Sequence, residues 1–281
     1  MTDHNTNGQW EFVRESVSTI PKDFPLLLTT GNHDTGSNGT TDSRDSQLST
    51  YFPESWAAAN GALREVMTKG KIENAFYSLN AGKFRIGVLM LEWSPRLQTV
   101  AWANGIVAKH RDHRFIVATH AYLYEDSTRY DYTSRKDDQL WNPLAYPTAK
   151  NAPAEEANFD GEMLWNELIR KHPNIFLVVS GHVLGQGSAR LSSVGDAGNV
   201  VHQLLANYQM LDEGGLGYLR LLEFYPDNKT LHVKTYSPSL HLFSYAADQD
   251  FRLELSPPLD APLPKERRYG GKLNDFSQKR R

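Results

Sequence analysis

The amino-acid sequence predicts a layered α/β fold, and three observations carry the prediction. Short apolar runs alternate with longer amphipathic stretches through the middle of the chain. Two alternating-pattern segments near the end flank a cluster of turn formers. The 281 residues, 40% of them hydrophobic, suffice to bury a sizeable core.

In chain order, Gln9 to Ile20 reads as a helix, with Trp10, Val13 and Val17 near helical spacing. Phe24 to Leu28, bounded by proline and glycine, reads as a buried strand. Phe84 to Leu91 is a second strand, Leu97 to Lys109 a helix, and Phe115 to Ala118 another strand. Glu162 to Lys171 reads as a helix and Ile175 to Val179 as a further strand. Leu219 to Phe224 and Leu231 to Tyr236, on either side of Pro226, Asp227 and Asn228, read as a hairpin. Thr35 to Ser49 and Tyr122 to Asp160 read as inserted loops, and loops of such length are usually functional or disordered.

Composition narrows the function classes. No run reaches the roughly 18 apolar residues that a membrane-spanning helix needs, so no span is expected. The chain has no cysteine, which removes disulfides, thiolate zinc sites and thiol nucleophiles. Net charge is −3, yet Lys265 to Arg281 holds seven basic residues against two acidic ones. Residues 256–281 are therefore expected to form a basic, flexible tail after a domain spanning 1–255. The acidic body offers that tail no basic platform, and nucleic-acid binding is not expected. Neither compartment nor oligomeric state is legible in these residues.

Polar residues of metal-ligating type recur where predicted strands end. GNHD (Gly31 to Asp34) follows the first strand, Thr119 and His120 follow the third, and Gly181 and His182 follow the fourth. Ligands of open α/β sheets bind beyond the carboxyl ends of the strands, so the three clusters can converge. An asparagine carbonyl and two neutral imidazoles suit a divalent first-row metal. Taken singly, each is weak: a histidine at a strand end is commonly structural, and GNHD also reads as a turn.

In order, however, the three clusters resemble the later signature blocks of the calcineurin-like metallophosphoesterases, which run D-x-H, GDxxD, GNH[D/E], an isolated His, and GHxH. The resemblance covers roughly Gln9 to Leu255. It implies a four-layer α/β/β/α sandwich, here lacking its first strands, with a mostly β carboxyl-terminal portion. It implies hydrolysis of a phosphate mono- or diester by metal-activated water. Asn32, His120 and His182 would hold one or two divalent ions, with Mn, Fe and Zn equally suited. His33 would protonate the leaving group or stabilise phosphoryl charge, and Asp34 would orient His33. Asp34 reads equally well as a helix N-cap or Asx-turn residue.

The chain departs from the family pattern twice. D-x-H and a complete GDxxD are absent, so the amino-terminal motifs are expected to be missing; Asp3 reads either as the last Asp of GDxxD or as part of a frayed end. The last block reads Gly181-His182-Val183-Leu184, and leucine cannot ligate metal. A branch of the family is similar in this, and LANYQ (205–209) and TYSP (235–238) also resemble that branch. The alternative is a non-catalytic relative without a complete metal site. Tyr122, Tyr124, Tyr130, Tyr132 and Trp141 either cap a substrate pocket or pack their loop onto the domain.

Overall fold

A computed structural model of the chain describes residues 1–264 except Asn60, Lys83 and Gln186. It is a mixed α/β protein built on a seven-stranded sheet with the order β1-β2-β3-β4-β5-β7-β6. The strands are β1 (Leu63–Val66), β2 (Ala75–Ala81), β3 (Phe84–Met90), β4 (His113–Ala118), β5 (Ile175–Ser180), β6 (Ser188–Val194) and β7 (Val200–Ala206). The neighbours β3, β4, β5 and β7 run parallel, while β1, β2 and β6 add antiparallel edges. Parallel strands are covered on both faces, which is why β4 and β5 read as nearly unbroken apolar runs.

Alternation along the strands divides the core. Leu89, Phe115, Val117 and Val178 face the helices Leu97–Lys109 and Gly161–Glu167, packing on Val100, Ile106 and Leu164. On the other face, Ile86, Ile116, Phe176 and Leu204 meet Leu231 and Val233 of a second sheet. That sheet is β8 (Leu219–Phe224), β9 (Thr230–Ser237), β10 (Leu242–Ser244) and β11 (Phe251–Glu254), with β9 paired to the other three. The helix Asn7–Ser18 covers the remainder of this face through Trp10, Val13 and Val17. On the outward side of the small sheet, Leu219, Leu221 and Phe243 are exposed. Among the described residues the outer helical layer of the expected four-layer sandwich is therefore not formed over these strands.

The hairpin over 219–236 forms as anticipated, its turn closed by Asp227 Oδ1 accepting from the Lys229 and Thr230 amides. The expected strand over Phe24–Leu28 does not form: the segment is irregular and Phe24 is 61% exposed. Position on the sheet accounts for this. β3, beside whose end the segment lies, already has β2 and β4 on its two sides, so neither of its edges is open. Side chains tie it down instead, as Thr29 Oγ1 donates to the Leu91 and Glu73 carbonyls and Thr30 Oγ1 accepts from the Trp93 amide.

The residues just after 256, where a flexible tail is expected, are packed onto the domain as far as Ala261. Leu259 is buried, and the Arg114 guanidinium donates to the carbonyls of Pro258, Leu259 and Ala261. The basic stretch 265–281 lies outside the described residues.

The loop over 122–160 is ordered by its own polar contacts. Tyr130 N donates to Tyr122 O, and buried Asp160 accepts from the Tyr132 and Met163 amides. Gly161, the next residue, starts a helix with its Cα against the Tyr122 carbonyl, where a Cβ would overlap the oxygen. Gly161→Ala is therefore expected to cost about 2–4 kcal/mol through a forced backbone shift. Urea unfolding should show this as a lowered midpoint; an unchanged midpoint would mean that the loop does not bear on the helix start.

Candidate functional site

Four chain segments end at one place. β3 runs into Glu92 and Trp93, β4 into Thr119 and His120, β5 into Gly181 and His182, and the irregular segment before residue 31 into Gly31–Asp34. Parallel direction is what brings the ends of β3, β4 and β5 to one edge of the sheet.

Asn32, His120 and His182 meet there. Asn32 Oδ1 lies 2.9 Å from His120 Nε2, and the His120 and His182 rings are 5.0 Å apart between centroids. Close approach depends on Gly31, because a Cβ at that position would stand 2.8 Å from the His120 ring. Asn32 itself is buried. His182 has φ of +74°, a left-handed conformation that is uncommon outside glycine and asparagine. Strained backbone of this kind persists where the surroundings over-determine it, and it clusters at functional sites.

Trp93 is the packing partner the sequence reading did not single out. Fully buried, it lies 5.6 Å from the His120 ring, 5.1 Å from His182 and 5.0 Å from Tyr146. Its signal was available in the sequence, since it too follows a strand end. Beneath it, Glu92 accepts from Arg96 Nε at 3.1 Å and from Thr99 Oγ1, with Arg44 Nη1 at 3.3 Å. These bonds fix the turn that carries Trp93.

The aromatic loop residues divide between the two readings. Tyr122, Tyr124 and Tyr130 are buried and pack the loop onto the domain. Trp141 is 41% exposed, and its carbonyl accepts from His182 Nε2 at 2.8 Å. The loop therefore reaches the cluster through backbone, which no reading of side-chain types could reveal.

His33 and Asp34 part company. The His33 side chain is 56% exposed beside the cluster, with Nδ1 3.0 Å from the Asp3 carbonyl and 3.7 Å from the Asp3 carboxylate. Asp34 is buried and does not touch the His33 ring; its carboxylate accepts from the amides of Gly31 at 2.8 Å and Thr2 at 2.7 Å, from Thr2 Oγ1, and from the Met1 ammonium. The expectation that Asp34 orients His33 is thus corrected. Its buried oxygens are taken up by closing the Gly31–Asp34 turn, and Asp3 is the partner of His33.

Burial sets the charge state of the two inner histidines. His120 is held well below the usual imidazole range, first by burial and then by His182, the amino-terminal ammonium and His33. Burial pushes His182 down to about 4, against a partial offset from the Trp141 carbonyl. Both are therefore neutral at pH 7 and carry the lone pairs that a cation requires. One pair of the donor set has a spacing that suits a cation, while His182 gives Nε2 to the Trp141 carbonyl and so keeps its lone pair on Nδ1. Two ligand atoms each about 2.1 Å from one ion at right angles would lie about 3 Å apart, close to the Asn32–His120 spacing. Leu184 supplies no donor.

His110, Asp112 and His113 form the other grouping of metal-ligating types among the described residues, with donor atoms within 4.8 Å. It sits where β4 begins, at the opposite end of that strand from His120. Two of its three side chains are engaged: His113 contacts Asp112 at 2.9 Å and Ser78 at 2.8 Å, and Asp112 also pairs with Arg85 at 2.7 Å.

No protein-family profile matches the chain. It is 29% identical over 238 residues to an uncharacterized protein, YvnB, of Bacillus subtilis (strain 168). The match covers 82% of this chain and 16% of that protein, so the chain spans about a sixth of its relative. Among the described residues no helix is long and apolar enough to cross a membrane.

The depressed His182 value predicts a pH signature. Unfolded His182 takes up a proton near 6.5 and the folded residue only near 4, so folded stability falls as pH drops through that window. Between pH 6.5 and 5 the loss from His182 is about 2 kcal/mol. Buried Asp160, raised to about 6, opposes it, because there the folded state binds the proton more readily. The comparison is therefore between wild type and His182→Asn, whose stability difference should shift in the variant's favour by about 2 kcal/mol from pH 6.5 to 5. A constant difference in urea unfolding across this range would show His182 to be freely solvated.

Proposed function

We propose that the chain is a metal-dependent phosphoester hydrolase of the calcineurin-like metallophosphoesterase type. The observation that carries the reading is the meeting of Asn32, His120 and His182, from three distant parts of the sequence, at the carboxyl ends of parallel strands. Such order and spacing of GNHD, a lone His and GH is what the family resemblance rests on. A large mixed sheet backed by a second sheet is compatible with the expected sandwich, though the outer helical layer is not seen here.

In this reading Asn32 Oδ1 and the His120 and His182 imidazoles hold a divalent cation. A bound cation of this kind lowers the pKa of water to roughly 7 and stabilises charge on phosphoryl oxygens. The remaining work falls to side chains. His33 stands at the open side of the cluster; with Nδ1 directed to the Asp3 carbonyl, Nε2 is the nitrogen that would give a proton to the departing oxygen. Trp93 and Tyr146 exclude water from the His182 side of the cluster. Neutral imidazoles keep the ligand set available without first losing protons.

A second reading is a cation-binding relative without turnover. The three donors include no carboxylate, and Leu184 stands where the family pattern has a further histidine. An experiment separates the two. Purified chain is expected to bind about one Mn²⁺ or Zn²⁺ per molecule and to hydrolyse an aryl phosphate mono- or diester. His120→Ala and His182→Ala should abolish metal retention, while His33→Asn should keep it and lower kcat by about 10²–10⁴-fold. Metal retention with no hydrolysis would select the second reading. If wild-type chain retained no metal in calorimetry or elemental analysis, both would fail.

A further inference from the structure

A cavity of about 300 Å³ opens beside the histidine cluster, walled by the segment after β7 and the start of β8. Its lining includes Asn207, Tyr208, Gly217, Tyr218 and Arg220. The wall is joined to the cluster: Asn207 Nδ2 donates to the carbonyl of Val183, next to His182, at 2.9 Å.

Arg220 has an unusual set of partners for a half-buried guanidinium. Nε and Nη2 donate to the Tyr208 hydroxyl at 3.1 and 2.8 Å, and Nη2 also donates to Gln249 Oε1 at 3.0 Å. These acceptors are neutral. No carboxylate lies within ion-pair distance of Arg220 among the described residues; Asp248, which feels its charge, bonds Ser188 Oγ and Gln249 Nε2 instead. The acceptors are themselves locked, as Gln249 Oε1 also accepts from Tyr208 and Thr235, and Gln249 Nε2 donates to Ser188 Oγ. The Phe251 ring, 5.7 Å away, packs against the same guanidinium.

The result is a positive charge held in a fixed orientation by neutral groups at a cavity wall, with no carboxylate in direct contact among the described residues and Asp248 acting on it only from farther off. With Nε and Nη2 so engaged, Nη1 is the nitrogen of Arg220 with no protein acceptor among the described residues, and its N–H groups can donate charge-assisted bonds to phosphate or carboxylate oxygen. A second donor is available: the N–H of Gly217, which lines the cavity, bonds no protein acceptor among the described residues. The aromatic rings of Tyr208 and Tyr218, 5.9 Å apart, give the cavity an apolar side on which an organic group can rest.

We infer that this cavity is an anion subsite, with Arg220 reading a phosphate or carboxylate group on a small organic molecule. Its extension to catalysis rests on the hydrolase reading above: there, the subsite takes a second anionic group of the ester handled at His120 and His182. The subsite itself needs no metal, so the two readings fail separately.

The test uses the full chain, isotopically labelled and stripped of metal with EDTA, titrated with inorganic phosphate at constant ionic strength. The expected result is saturable movement of the amide resonances of residues 214–220, with a Kd of about 1 mM. Arg220→Gln should weaken binding at least about tenfold, Arg220→Lys should weaken it less, and His182→Ala should leave it unchanged. Absence of saturable shifts at 214–220 in wild type would overturn the proposal, and needs no variant to fold. So would an unchanged Kd in Arg220→Gln, or loss of binding in His182→Ala.

Discussion

The site depends on how closely the Gly31–Asp34 turn can lie against the ring of His120. Gly31 has no side chain to hold the two apart, and Asp34 closes the turn by accepting from the Gly31 amide. Asn32 is thereby delivered to within hydrogen-bond distance of an imidazole 88 residues away. Everything else in the cluster is arranged around that approach. Trp93 fills the space between His120, His182 and Tyr146, and Glu92 with its arginines anchors Trp93 in turn. The Trp93 ring adds to the burial that keeps both imidazoles neutral.

The long segment between β4 and β5 links site and scaffold. Its buried tyrosines and Asp160 secure it to the helix that begins at Gly161, and its far end lays a backbone carbonyl on His182. Polar partners therefore reach the cluster from two directions, the Gly31–Asp34 turn at His120 and the loop at His182. The cavity at Arg220 shows a different condition, a charge whose direct partners are neutral. These two neighbouring environments, one kept neutral and one kept positive, are joined through Asn207 and Val183.

Much of this was legible from residue types alone. The helix over 97–109, the strands around 84–91, 115–118 and 175–179, and the late hairpin all follow from periodicity and turn chemistry. So did the meeting of His120 and His182, because polar residues after parallel strands have one sheet edge to share; Asn32 reaches the same edge from an irregular segment rather than from the strand expected before it. What was not legible depended on neighbours rather than on pattern. The run Phe24–Leu28 has every local mark of a strand, but β3 had no free side to pair with it. The partner of Asp34 was misjudged because a short carboxylate beside its own turn amide meets that amide before a neighbouring ring. Strands β6 and β7 and the Trp141 carbonyl left no sequence signal, the strands because their polar residues satisfy each other across the sheet, as Ser192 does with His202.

The backbone at His182 has one more consequence, for which substitutions the chain can accept there. A left-handed residue at φ of +74° tolerates glycine, asparagine and aspartate readily and resists valine, isoleucine and threonine whatever their chemistry. Position 182 is thus filtered twice, once by the torsion and once by the ring nitrogen. Asparagine passes the first filter and keeps a polar donor atom, so it is the replacement that disturbs this corner least.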